Sequence, residues 1–129
     1  MSYRSDIRIR ITKDDFEQIK KEFAKYLDEH IITESILDYL DVYKEHEHTW
    51  SVLDDETNEW IDKTAPCVYF GWDSMKWYSE LEYLHDMIRK LDRFAISIIG
   101  EMYDDVQVEY KEFECIEIYS QFVDDCEGV

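Results

Sequence analysis

Ile7, Ile9 and Ile11 alternate with Asp6, Arg8, Arg10 and Thr12, a period of two that predicts a β-strand with one face buried and one wet. Thr12 then stands where its hydroxyl can cap a helix. Asp14 and Asp15 suit the positive end of that helix, and Phe16, Ile19, Phe23 and Leu27 form its buried stripe. The pattern carries this helix to about Glu29. A second cap at Thr33, with Ile36, Leu37, Leu40 and Tyr43 at helical spacing, predicts a second helix.

Between Thr49 and Ile61 two short tryptophan-bearing segments flank the polar cluster Asp54, Asp55, Glu56, Thr57 and Asn58, the pattern of a β-hairpin. The apolar run from Cys67 to Trp72 follows Pro66 and predicts a buried strand. Leu81, Leu84, Ile88 and Leu91 then share one face of a helix. Phe94 to Ile99 is apolar apart from Ser97, as in a strand covered on both sides at the centre of a sheet. After a turn over Met102 to Asp105, Val106, Val108 and Tyr110 alternate, and Ile116, Ile118 and Phe122 follow. The predicted order is β-α-α-β-β-β-α-β-β-β, an α+β chain with helices on one face of a mainly antiparallel sheet. With 3 glycines, only Pro66 and no linker composition in 129 residues, residues 1–129 read as a single domain.

Charge changes this picture most. The chain has 32 acidic and 14 basic residues, a net charge of -18. The excess is local: net charge is +2 over residues 1–25, -11 over 26–62, 0 over 63–100 and -9 over 101–129. With 45% hydrophobic and 16% aromatic residues the chain still folds. Two acidic fields repel phosphates and anionic lipid and attract basic surfaces, so direct binding to DNA, RNA or a membrane is not expected. No apolar stretch reads as a signal region or reaches bilayer length. Cys67, Cys115 and Cys126 are odd in number and make no C-x-x-C pair, which points to reduced thiols and a cytoplasmic protein.

The candidate chemistry is sparse. His46 and His48 form an H-x-H pair between Glu45 and Glu47. In a strand both imidazoles would face one side, where carboxylates could complete a metal site, but no third ligand stands at a recognisable spacing. Asp54, Glu56 and Asn58 alternate like half an EF-hand loop, without its glycine or final glutamate. Nucleotide-binding, hydrolase and zincin motifs are missing, three glycines leave little backbone to cradle a phosphate, and no cofactor is implied. Cys67 and Cys115 fit small buried apolar positions better than nucleophiles. Trp72, Trp77 and Tyr78 crowd a strand-to-helix junction; such rings either anchor the helix or, where exposed, serve as interface hot spots.

The segment Tyr69-Phe70-Gly71-Trp72-Asp73-Ser74-Met75-Lys76-Trp77-Tyr78, with Ile98-Ile99-Gly100-Glu101-Met102-Tyr103-Asp104-Asp105-Val106, resembles a pattern in small acidic uncharacterised proteins of bacteriophages and prophages. The resemblance carries no catalytic motif. It implies a phage or mobile-element setting, in which small acidic proteins are often anti-CRISPR or anti-restriction inhibitors of host defence. The leading expectation is thus a non-enzymatic inhibitor that presents carboxylates where a nucleic acid would present phosphates. It would engage a basic effector through Asp54, Asp55, Glu56, Glu59, Asp104, Asp105 and Glu109, with Trp77 and Tyr78 as aromatic contacts. An immunity or antitoxin protein against a basic nuclease, and a metal-dependent hydrolase using His46 and His48, are the alternatives. Arg8 and Arg10, on the wet strand face, are expected to pair with Glu109 or Glu117.

Overall fold

The computed structural model describes residues 4–77, 79–100, 106–114 and 116. The element order is β1 (Arg4–Thr12), α1 (Lys13–Glu29), β2 (Val42–Leu53), β3 (Trp60–Lys76), α2 (Ser79–Arg89), β4 (Phe94–Ile99) and β5 (Val106–Lys111), with a 3-10 turn at Ile36–Asp38. The sheet order is β2-β3-β1-β4-β5, and every neighbouring pair is antiparallel. Without β5 this is the ferredoxin-like βαββαβ arrangement, in which each helical crossover skips one strand position. The single α+β sheet with two helices matches the expected class.

Thr12 caps α1 as its position predicts: the hydroxyl accepts from the Asp15 amide at 3.2 Å. Both helices share one core. Phe16, Ile19 and Phe23 of α1 and Leu81, Leu84 and Ile88 of α2 pack with Ile7, Ile9, Ile11, Val68, Phe70, Trp72, Ile96 and Ile98. On the opposite face a smaller cluster joins Trp50, Cys67, Tyr69 and Ala95 to Phe113 and Ile116. The Ser97 hydroxyl donates to the Ile116 carbonyl there at 3.0 Å, so the chain after β5 overlies a face expected to be wet.

That cover changes the fate of the arginines. Arg8 is buried, donating to the Ile7 and Trp72 carbonyls and to Asp73 at 2.8 Å. Arg10 lies over the Tyr69 ring at 5.1 Å. Neither takes Glu109, which instead meets His85 at 2.9 Å and Arg89 at 3.4 Å on the helix side; Glu117 lies outside the described residues. The middle strand is β1 and not Phe94–Ile99, which lies between β1 and β5.

The second helix shrinks to one turn. Ser35, and not Thr33, caps it by accepting from the Leu37 amide. The indole of buried Trp72 then takes the Ile36 carbonyl at 2.9 Å, and the Asp41 amide donates to the Gly71 carbonyl, drawing the chain into β2. Ile36, Leu37 and Leu40 still rest against the core, which accounts for their helix-like spacing. Tyr43 belongs to β2, opposite Phe70. The segment around Trp60 and the run Cys67–Trp72 form one strand, because β2 pairs along it from Trp60 to Gly71. The turn at Met102 to Asp105, together with Ile118 and Phe122, lies outside the described residues.

Two backbone positions make direct predictions. Where β1 and β3 slip register between Ser5 and Ile7, a Cβ on Gly71 would meet the Ile7 carbonyl oxygen at 1.8 Å. Because backbone must move to admit it, Gly71→Ala is expected to cost about 3 kcal/mol, the upper end of ordinary overpacking, measured by urea denaturation. Ile31 ends α1 with φ 54. Its amide donates to Asp28 and that of Ile32 to Leu27, the paired bonds of a Schellman motif whose left-handed position favours glycine. A β-branched residue is strained there, and Ile31 is 88% exposed, so it gains nothing from packing. Ile31→Gly is expected to stabilise the domain by about 0.5–1 kcal/mol, read as a raised thermal midpoint. A lowered midpoint would show that the strain is absent.

Candidate functional site

The β2–β3 hairpin outgrows the sheet. β1 stops at the pair Thr12–Cys67, while β2 and β3 stay in register as far as Leu53–Trp60. From Trp60 to Pro66 the ribbon is therefore two strands wide and projects roughly 20 Å at strand rise. Its turn is fixed locally. The Asp54 amide donates to the Glu59 carbonyl at 2.8 Å, the Asn58 amide to the Asp54 carbonyl at 2.7 Å, and the Glu56 amide to the Asp54 carboxylate at 2.9 Å. Asn58 holds φ 61, a conformation asparagine tolerates.

One face of this arm is polar along its length and apolar at its end. Thr49 and Thr64 join hydroxyls at 2.8 Å, and the Ser51 hydroxyl donates to Asp62 at 2.6 Å. Beyond them Leu53 and Trp60 stand opposite each other, 45% and 71% exposed. The other face is braced. Trp50 is buried, Phe113 meets it edge-on at 4.9 Å, the Arg93 guanidinium lies 5.7 Å from its ring, and its indole N–H donates to Glu112 at 2.9 Å. Glu112 also faces Arg93 at 3.0 Å and Lys63 at 3.9 Å. A protruding two-stranded ribbon is thus anchored at mid-length, with its end presented to solvent.

Of the acids singled out from the sequence, Asp54, Asp55, Glu56 and Glu59 all gather at this end, with Asp62 beside them. Glu109 lies away from them, held by His85 and Arg89. Asp104, Asp105 and Tyr78 fall outside the described residues. Trp77 is 42% exposed. Its indole donates to Glu82 and its ring stands edge-on to His85 at 5.5 Å between centroids, so it both anchors the start of α2 and shows part of its ring. Sequence reasoning passed over Trp60 and Leu53 as contact residues. Their signal was available: Trp50 and Trp60 flank one turn at positions that the pairing sends to opposite faces.

His46 and His48 share the braced face, as their spacing predicts, with ring centroids 5.8 Å apart. His48 also stacks on Trp50 at 5.9 Å, meets Phe113 edge-on at 5.2 Å, and has Glu114 3.5 Å from Nε2. Burial, and then the nearby charge of Arg10, lower both imidazole pKa values below the usual histidine range. Among the described residues no three histidine, cysteine, aspartate or glutamate side chains are grouped to hold a metal ion. Cys67 is buried, and desolvation pushes its thiol up to about 11, so it carries almost no thiolate at neutral pH. No described helix is long and apolar enough to cross a membrane.

No family description and no curated protein matches the chain. Among solved structures, one titled as a phage SAM lyase in complex with S-methyl-5'-thioadenosine aligns over 88% of this chain and 92% of its own, at 10% identity and a TM-score of 0.37. A likeness of that degree assigns neither a fold family nor an activity.

Proposed function

We propose that this protein is a non-enzymatic binding protein that docks the end of its β2–β3 hairpin on a basic surface of a nucleic-acid-binding effector, as anti-CRISPR and anti-restriction inhibitors do. One observation carries the reading: a braced ribbon places Asp54, Asp55, Glu56, Glu59 and Asp62 around an exposed Trp60–Leu53 pair. Charge attracts and orients such an arm, and a large ring in contact with the partner slows its release. Four of these carboxylates lie in the turn at 54–59 and the fifth, Asp62, in β3 beside it, so they crowd one end of the ribbon into a dense negative patch that suits a basic phosphate-binding surface. The resemblance of Tyr69–Tyr78 and Ile98–Val106 to small phage proteins supports the same biological setting.

The test captures host proteins on the wild-type chain and, in parallel, on a chain with Asp54, Asp55, Glu56 and Glu59 all changed to lysine. A DNA-binding protein retained by the first, lost by the second and displaced by duplex DNA supports the proposal. Capture that DNA does not displace, or that survives charge reversal, overturns it.

A further inference from the structure

The face that braces the arm holds buried polar atoms whose hydrogen bonds are incomplete. Arg10 Nε, both ring nitrogens of His46 and Nε2 of His48 are shut off from solvent and close no well-formed hydrogen bond to a described residue, although Glu114 stands 3.5 Å from His48 Nε2 and the Lys44 backbone lies beside His46. Buried donors are almost always satisfied, and this chain has carboxylates to spare, 32 acids against 14 bases. Arg8, two residues earlier, takes Asp73. Arg10, partly buried, has no carboxylate within ion-pair distance among the described residues; it lies over the Tyr69 ring.

Register brings these groups to one place. His46 pairs with Cys67, Cys67 with Thr12, and Arg10 with Tyr69, so the imidazoles on β2 and the guanidinium on β1 flank the buried Cys67 and Tyr69 of β3. Phe113 closes the site beside His48. Arg10 can only donate, each neutral imidazole adds one donor and one acceptor, and each protonated one adds two donors. Donors outnumber acceptors in such a set, and the surplus grows with each imidazole that protonates. A metal cation is disfavoured, because Arg10 is itself a cation and no third ligand joins the two histidines among the described residues.

We propose that Arg10, His46 and His48 bind a small oxyanion, a phosphate or a carboxylate, on the sheet face opposite the helices. An oxyanion supplies several lone pairs at once and makes charge-assisted bonds to Arg10 and to any imidazole that protonates. The groups around it are Arg10 from β1, Lys44, His46 and His48 from β2, Cys67 and Tyr69 from β3, Arg93 before β4, and Glu114 after β5, with Glu47 acting on His46 from the opposite face of β2. A bound anion therefore raises the protonation midpoints of both histidines, opposing the effect of Arg10.

The test is an NMR titration of the full chain, with labelled histidines, against inorganic phosphate and separately against acetate, at constant ionic strength set with sodium chloride. Saturable shifts of the His46 and His48 imidazoles with either anion, His30 unmoved, support the site. Loss of one charged donor is expected to weaken binding about tenfold in Arg10→Gln. His46→Gln weakens it similarly, and Lys21→Gln, a change at an exposed helix position, leaves it alone. If Arg10→Gln fails to fold, the loss of affinity in His46→Gln decides the question by itself. Shifts that do not saturate with either anion, or that survive both substitutions undiminished, overturn the proposal.

Discussion

Alanine at position 72 is expected to remove most of the stability of the domain. Trp72 is almost completely buried in the helix-side core, where truncating so large a ring costs about 3–5 kcal/mol. The same change leaves the Ile36 carbonyl without its indole donor, which adds about 1 kcal/mol or more. Against a typical total of about 5–15 kcal/mol, that loss leaves a domain of ordinary stability largely unfolded in mild denaturant. Urea titration followed by circular dichroism measures it. A loss below about 1.5 kcal/mol would show that the ring is dispensable and that the 36–41 segment is held by other means. Trp60→Ala is the internal contrast, because an exposed ring can go with a change of about 0.5 kcal/mol or less.

Reversing the charge of Asp54, Asp55, Glu56 and Glu59 is expected to slow association with the basic partner by roughly two orders of magnitude at low salt, the span between steered and unsteered encounter. The difference should fade as salt screens it, while the fold, held by pairing down to Leu53–Trp60, persists. Trp60→Ala acts on the other rate. An aromatic hot spot is worth about 2 kcal/mol or more, so dissociation should quicken roughly 30-fold with little change in the encounter rate. Surface-plasmon kinetics over a salt series separate the two. If both variants associate and dissociate like the wild type, the acidic end of the hairpin is only a solvated surface.

Much of the fold was legible because short-range physics sets it. The Thr12 cap and the strands at Ile7–Ile11 and Phe94–Ile99 read correctly from residues within one element, but not the cover over the second face of β1 or which strand stands at the centre. What failed depended on distant partners. Ile36, Leu37 and Leu40 look helical, but Trp72, over thirty residues on, takes the carbonyl that a helix would have used. The length of β3 was hidden by Pro66 and by polar Asp62, Lys63 and Thr64, since that stretch lies beyond β1 and is exposed apart from Ala65. Arg8 and Arg10 were placed on the correct face, but its shelter comes from Phe113 and Ile116, a hundred residues later. The acidic end was legible as composition, whereas the exposed Trp60–Leu53 pair needed the register.

The position of β1 bears on how the chain is made. The strand at the middle of the sheet precedes both strands it pairs with, since Ile7 lies opposite Trp72 on one side and Ile98 on the other. At about 5–20 residues per second of synthesis, an isoleucine-rich segment is without its last partner for on the order of five to twenty seconds. Two open edges on such a segment invite pairing with other nascent chains. Arg8 and Arg10, set between the isoleucines, are the kind of charged interruption that keeps an exposed strand from joining its neighbours. The same two side chains that end sheltered in the finished sheet thereby serve first as gatekeepers of the unfinished one.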